Sequence, residues 1–231
     1  TKQLIQSLFM DSSYPITPQV FQLEDLSALT PLIPINQMSE LVYPLMAKVE
    51  EPIQQYCQLE ELIIKFLSSK DPNYVASSSF DLALSLAKLI DELNNSGLSY
   101  ESFEQKYFND LPCFWSSSIR KLKKIFVEYD NWQRKLNIVT KSAKYAAETA
   151  ALSRLWLNEP YQDPILIVGS TGSRLSTSNF MKAVASLPQG AVILPGLDTH
   201  MASSSWGMIM SEHPQYGFVS LANKWMLFGN D

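Results

Sequence analysis

The sequence predicts an α/β protein that is predominantly helical, with a parallel sheet interrupted by a large helical insertion. Apolar residues recur every three or four positions through most of residues 36–157, which is the period of amphipathic helices. Beyond Pro160 and Pro164 the pattern changes to an apolar strand, a glycine loop, a helix and a second apolar strand. Of the 8 glycines, only Gly97 precedes residue 168. The helical region is therefore expected to end near Pro160.

The composition is that of a globular protein. The chain has 231 residues, of which 46% are hydrophobic and 18% charged, with a formal net charge of -5. These values argue against disorder, and the length is sufficient for a buried core. The 2 cysteines, Cys57 and Cys113, are too few for a zinc site without help from histidines. We expect both thiols to be reduced and buried.

The sequence also predicts the cellular location of the protein. No apolar stretch approaches the ~20 residues that span a bilayer, and no secretory leader follows Thr1. We therefore expect a cytoplasmic protein without a membrane partner. Because the first residue is threonine rather than methionine, we also expect the chain to be a fragment of a longer protein.

Three regions are predicted along the chain: an α/β part over residues 1–34, a helical insertion over 35–160, and a βαβ continuation over 161–231. In the first region, residues 1–10 predict a helix and Gln19–Leu23 a short strand, since prolines flank that strand and apolar residues fill it.

The helical insertion begins with apolar residues at helical spacing from Asn36 to Val49, where Pro44 either kinks the helix or marks its first turn. The clearest helix covers Leu82–Leu93, with Ser79 as its N-cap and Gly97 just beyond its end. Further helices are predicted over residues 100–108, 116–136 and 142–157.

The βαβ continuation consists of a strand at Ile165–Val168, a glycine loop, a helix over Ser176–Leu187 and a strand at Ala191–Leu194. The continuous apolar run of the first strand is typical of a buried parallel strand. Two parallel strands need a crossover, which is right-handed in almost every protein. With the strand near residue 20, we expect a sheet of at least three strands.

The glycine loop lies where open α/β sheets bind ligands, after a strand and before a helix N-terminus that attracts anions. It provides backbone amides, hydroxyls and one guanidinium: Gly169, Ser170, Thr171, Gly172, Ser173 and Arg174. It matches neither the phosphate-binding loop with its lysine nor the dinucleotide loop with its three glycines. A strand-to-helix turn capped by serine is the favoured interpretation, and a bound phosphate is the alternative.

No set of residues demands catalysis. Ser170 or Ser173 would need a neighbouring histidine as base, for which only His200 is available, and neither lies in a nucleophile elbow. Asp198 is the one carboxylate that follows a predicted strand, and aspartates in such places usually stabilise turns. We predict no catalytic residue, no metal ligand and no cofactor.

Charge is concentrated in two stretches of opposite sign. Residues 11–110 contain 15 acidic residues against 5 lysines, whereas residues 120–144 contain 8 basic residues against two acidic ones. An apolar helical stripe from Ile119 to Leu136 would pack inward with its aromatics, and the basic residues lie off it. A solvated helix face is the favoured interpretation; contact with DNA phosphates is the alternative. The candidate DNA-facing residues are Arg120, Lys121, Lys123, Lys124, Arg134 and Lys135.

Two motifs at a defined spacing resemble a known family. Residues 164–174 and 187–198, followed by Trp206 and His213–Gln215, are similar to AddB of alphaproteobacteria, a subunit of the AddAB helicase-nuclease that processes DNA double-strand breaks for recombination. Weaker similarity covers most of the chain upstream. It involves the Leu82–Leu93 helix, Trp115, the Trp132–Leu136 stretch and the ending Arg154–Trp156.

The resemblance implies an incomplete RecA-like domain of the P-loop NTPase class with a helical insertion. Active relatives end the corresponding strand in an acidic pair that holds Mg²⁺, but this chain has Val168-Gly169-Ser170 there, so a degenerate ATPase domain is implied. The iron-sulfur nuclease of the family has no matching residues. DNA and an AddA-like subunit are the implied partners.

The leading hypothesis is therefore a segment that binds DNA and AddA in double-strand break repair without hydrolysing ATP. An enzyme domain that binds a nucleotide or phosphate ligand at Gly169–Arg174 is the first alternative. A non-catalytic interaction scaffold is the second.

Overall fold

The computed structural model describes residues 22–23, 25–26, 29–34, 41–67, 78–107, 116–194 and 203–225, with the single positions 196, 198, 200 and 201. Helices dominate these residues, together with two short pairs of parallel strands. The α/β, predominantly helical class is therefore confirmed. The predicted helix over residues 1–10 lies outside the described residues.

The described elements follow one another along the chain after a 3-10 turn at Thr30–Leu32. They are α1 (Val42–Met46), β1 (Lys48–Val49), α2 (Pro52–Leu67), α3 (Ser79–Asn95), α4 (Tyr100–Tyr107), α5 (Ser116–Leu136), β2 (Ile138–Val139), α6 (Lys141–Asn158), β3 (Ile165–Val168), α7 (Leu175–Ala185), β4 (Gly190–Ile193), α8 (Ser203–Trp206) and α9 (Tyr216–Trp225).

The βαβ unit forms as predicted. β3 and β4 pair in parallel with Ile165 opposite Gly190 and Val168 opposite Ile193, and α7 connects them. Their apolar run is not buried throughout, however, because Leu166 is 52% exposed and only Ile167 is buried. One face of this pair packs on the core, and the other is open among the described residues.

The predicted helix over 36–49 is wrong at its end, in residues 47–49. Its described helical part is Val42–Met46, with Pro44 in the first turn, where the missing N–H costs no hydrogen bond. Val49 instead belongs to β1, which pairs in parallel with β2. The backbone N–H of Glu50 donates to the Val139 carbonyl at 2.9 Å, and β-branched valines suit such pairing.

The predicted strand at Gln19–Leu23 is not present in its described part. Leu23 lies in a turn in which the N–H of Asp25 donates to the carbonyl of Gln22 at 2.9 Å. Residues 19–21 lie outside the described residues. In the part of the chain that the structure describes, each sheet therefore has two strands rather than the expected three or more.

The helix predicted from Leu82 to Leu93 is confirmed as α3. Gly97 follows it with φ +63, and its N–H donates to the Asn94 carbonyl while that of Leu98 donates to the Leu93 carbonyl, which is a Schellman ending. Ser79 is not the N-cap. Its buried hydroxyl donates to Glu60 of α2 at 2.7 Å, so it joins two helices instead.

Three more of the predicted helices agree with the structure to within one residue at each end. The predictions over residues 100–108, 116–136 and 142–157 correspond to α4, α5 and α6. The Thr140 side chain accepts a hydrogen bond from the N–H of Ala143 at 3.1 Å and so caps α6.

Two clusters of buried side chains organise the described residues. We call them the sheet core and the helical core. The sheet core joins α6, α7 and β3, with the Trp156 and Phe180 rings 5.5 Å apart. The helical core joins α2, α3 and α5 around Leu59, Ile63 and Ile125. Although α6 precedes the predicted boundary at residue 160, it packs in the sheet core.

The cysteines and the helix lengths bear on two further expectations. Cys57 is exposed on α2, so the expectation of a buried thiol is wrong there, and Cys113 lies outside the described residues. None of the described helices combines the length and the apolar character needed to cross a membrane.

Candidate functional site

The glycine loop uses its two glycines for different purposes. Gly169 has φ +87, and a Cβ built there meets nothing within 4 Å, so its backbone is accessible. Gly172 has φ +58 and is buried; a Cβ there would lie 2.6 Å from Cδ1 of Leu221. Both need a left-handed backbone, which glycine adopts freely. Gly172 is additionally required by packing, whereas Gly169 leaves room for a ligand.

One face of α9 covers the loop. A Cβ built at Gly217 would lie 3.7 Å from Cβ of Thr171, and one turn further Leu221 packs on Gly172. In the last turn of α9, the Lys224 ammonium donates to the carbonyl of Ser173 at 3.2 Å. The loop is therefore held against a helix and brought beside a second cation that sequence reasoning missed.

The start of α7 has no serine cap. Arg174 occupies the N-cap position without a side-chain cap bond, and Ser170 instead accepts a hydrogen bond from the Gly172 N–H at 3.2 Å within the loop. The loop does connect a strand to a helix as predicted, but the predicted serine cap is wrong. Backbone N–H groups at a helix N-terminus attract anions, and Arg174 and Lys224 lie beside this one.

Asp198, the carboxylate that follows β4, takes part in a turn. Asp198 accepts a hydrogen bond from the N–H of His200 at 2.9 Å, as turn aspartates do. The described part of the chain holds no group of three or more His, Cys, Asp or Glu that could bind a metal ion. The expectation that this region carries no catalytic residue stays a prediction.

The second candidate site is α5, whose apolar stripe packs inward. Ile125 and Tyr129 are buried in the helical core, and Trp132 stacks on Tyr129 with ring centroids 5.7 Å apart. The predicted role of these aromatics as core side chains is confirmed. Leu136 departs from the pattern, since it is exposed at the end of the helix.

Lys123 and Arg134 are both held by neighbouring side chains. The Lys123 ammonium lies 2.8 Å from Glu104 of α4, and this hydrogen bond raises the pKa of the lysine. Arg134 pairs with Asp130 one turn earlier at 2.8 Å and lies over the ring of Tyr43. Both cations hold elements together and are less suited to bind a ligand.

Lys121, Lys124 and Lys135 remain as outward-facing cations. Lys124 and Lys135 are exposed and Lys121 is partly exposed. At 100° per residue, Lys124 and Lys135 project within about 20° of one another and lie about 16 Å apart along the helix axis. Arg120 is exposed beside them. The structure thus brings these cations to one side of α5.

A buried polar cluster that sequence reasoning missed lies beneath α5. The Tyr129 hydroxyl donates to the Glu50 carboxylate, and the Gln133 amide donates to the same oxygen at 3.0 Å. Glu50 and Gln55 are each only 6% exposed. Burial raises the pKa of Glu50, and it also raises the pKa of Tyr129. The sequence around Glu50 gave no signal for this cluster, because its partners lie on α5, far along the chain.

Comparison with known proteins adds no relative to these observations. No family model matches the chain, and no significant match was found among the curated proteins or the solved structures.

Proposed function

We propose that this chain is a DNA-binding, non-catalytic part of an AddB-like subunit that acts with an AddA-like partner in the repair of double-strand breaks. The observation that carries the proposal is the division of α5 into two faces. Tyr129 is buried on one, and Lys124 and Lys135 are exposed on the other. Lysines held on a rigid exposed face displace the counterions of DNA, which is the main source of non-specific affinity.

The strand pair agrees with a role in binding rather than in ATP hydrolysis. A parallel pair connected by a helix is the unit from which nucleotide-binding sheets are built. The carboxyl end of β3 reads Val168-Gly169-Ser170, without a carboxylate to hold Mg²⁺. An incomplete, degenerate RecA-like domain in a cytoplasmic repair enzyme is the proposal that combines these features.

Fluorescence anisotropy tests this proposal with a labelled DNA duplex that carries a single-stranded tail. We expect the variant Lys121→Glu/Lys124→Glu/Lys135→Glu to bind more weakly. The slope of log affinity against log salt should become shallower by about 0.9 for each phosphate that a lysine no longer neutralises. The matched control is Lys65→Glu/Lys88→Glu/Lys182→Glu, which changes the net charge equally at other exposed sites.

Equal losses in the two triple variants would show that only net charge matters, and would contradict a DNA site on α5. Unchanged binding in the first variant would contradict it as well. If the chain binds no DNA yet co-purifies with an AddA-like subunit, the scaffold interpretation replaces the proposal.

A second candidate function is the binding of a phosphate group at the glycine loop. Arg174, Lys224 and the uncapped start of α7 favour it. Gly172→Val is a poor test because Leu221 blocks the added side chain. Calorimetry with ATP and with inorganic phosphate should instead show saturable binding that Arg174→Gln weakens and the control Arg154→Gln on α6 does not; absence of binding to either ligand would refute it.

A further inference from the structure

Three of the chain's 8 methionines cluster in one short segment between β4 and α9. Met201, Met208 and Met210 line the same open groove, which has a volume of about 560 Å³. Met208 is 72% exposed and Met210 is 75% exposed, although side chains of this size and apolarity are normally drawn inward. The side chains of Met208 and Met210 are thus accessible from solvent.

Backbone and side-chain hydrogen bonds hold this segment in place. The N–H of Met208 donates to the Ser205 carbonyl at 3.1 Å, and that of His213 donates to the Met210 carbonyl at 3.0 Å. The Gln215 amide donates to the Gly196 carbonyl at 2.8 Å and accepts from the Asp198 N–H at 3.1 Å. The bonds of Gln215 connect the chain that follows the groove residues to the turn at Gly196 and Asp198, which precedes Met201.

The polar groups of the groove narrow the choice of ligand. Nδ1 of His213 accepts a hydrogen bond from the Gln215 N–H at 3.1 Å, so the neutral ring carries its proton on Nε2 and offers no lone pair there. Glu212, which also lines the groove, contributes a negative charge that favours a cation. The donors in the groove that suit a soft metal ion are the three neutral thioether sulfurs.

We propose that Met201, Met208 and Met210 form a binding site for a soft monovalent metal ion of the Cu(I) class. Thioether sulfur is polarizable and selects Cu(I), whereas Mg²⁺, Ca²⁺ and Mn²⁺ require oxygen ligands. The site is independent of the basic face of α5 and of the glycine loop.

Silver(I) is the appropriate probe because it is soft and monovalent and does not change oxidation state under these conditions. The titration uses the full chain with Cys57→Ser and Cys113→Ser, since an exposed thiol would itself capture the ion. With ¹³C-methyl methionine, we expect three of the methyl resonances to shift in saturable fashion at one equivalent of silver, while the others stay in place.

Leucine substitutions separate a metal site from an apolar docking surface, since leucine retains the bulk of methionine but lacks the sulfur. Met208→Leu/Met210→Leu should weaken silver binding at least about tenfold, or about 1.4 kcal/mol. Met46→Leu is the matched control, because Met46 is 59% exposed on α1. Unsaturable shifts, shifts at all methionines, or equal affinity in the double variant and the control would each overturn the proposal.

Discussion

Alanine at Gly190 should severely destabilise the βαβ unit. A Cβ built at this first residue of β4 lies 1.8 Å from the carbonyl oxygen of Val184 and 2.9 Å from Cβ of Leu187. The first of these atoms belongs to the backbone of α7, so no side-chain rotation relieves the contact. The connection between α7 and β4 must shift, and the register of β4 on β3 shifts with it.

The expected magnitude follows from the nature of the obstacle. Overpacking against side chains costs about 1–3 kcal/mol, and a backbone obstacle places this case at the upper end or beyond, at about 3 kcal/mol. For a urea m-value of about 2 kcal/mol/M, the unfolding midpoint falls by about 1.5 M. Tryptophan fluorescence reports the transition, since Trp156 lies in the sheet core.

Gly207→Ala is the control for this prediction, because a Cβ at Gly207 meets nothing within 4 Å. Its free energy of unfolding should stay within about 0.5 kcal/mol of the parent chain. If Gly190→Ala and Gly207→Ala unfold at the same urea concentration, β4 does not pack on α7 as described, and the reasoning fails.

Three further changes test other parts of the fold. Burial raises the pKa of Glu50, so the native state loses stability as pH rises above about 4.3, the carboxyl pKa of the unfolded chain. The stability of Glu50→Gln relative to the parent chain should therefore increase between about pH 4 and pH 7, as measured from melting curves. A difference in stability that stays constant with pH would contradict this sign. Thr140→Ala removes the cap on Ala143 and should cost about 1 kcal/mol in chemical unfolding, whereas Thr140→Ser should retain most of it. Cys57 is exposed, so a thiol reagent should modify it in the folded protein, and a thiol that reacts only after unfolding would contradict its placement on α2.

Local periodicity predicted α3, α5 and α6 well, but α2 was not predicted and α7 ends two residues before its predicted end. In α3 and α5 the buried face is visible in the sequence, because the apolar residues that pack on a neighbouring helix recur at the helical period. The β3–α7–β4 unit was also predictable from the sequence, since a glycine loop separates an apolar strand from an amphipathic helix. Short elements were less predictable: β1 has two residues, and its pairing with β2 depends on a partner far along the chain.

The candidate sites were only partly predictable for the same reason. The sequence identifies the basic residues of 120–135 but does not show that Lys123 and Arg134 form ion pairs. The partner of Lys123 is Glu104 on another helix, and the pairing of Arg134 with Asp130 depends on the side-chain rotamers. The approach of Lys224 to Ser173 and the polar cluster at Glu50 arise from contacts between distant segments. Such contacts leave no pattern within a short window of sequence.

The pairing of β1 with β2 has a consequence for how the protein is assembled and how it could be re-engineered. Lys48 lies opposite Ile138, so the two strands that flank the helices α2 to α5 lie side by side at about 4.8 Å, the spacing of neighbouring strands. These helices form a separable insertion: because β1 and β2 run parallel, a flexible crossover of about a dozen residues from residue 50 to residue 137 would replace them. The helices of the insertion could then be exchanged, shortened or lost separately from the rest of the chain. We expect the insertion to fold around the helical core and the remainder around the sheet core.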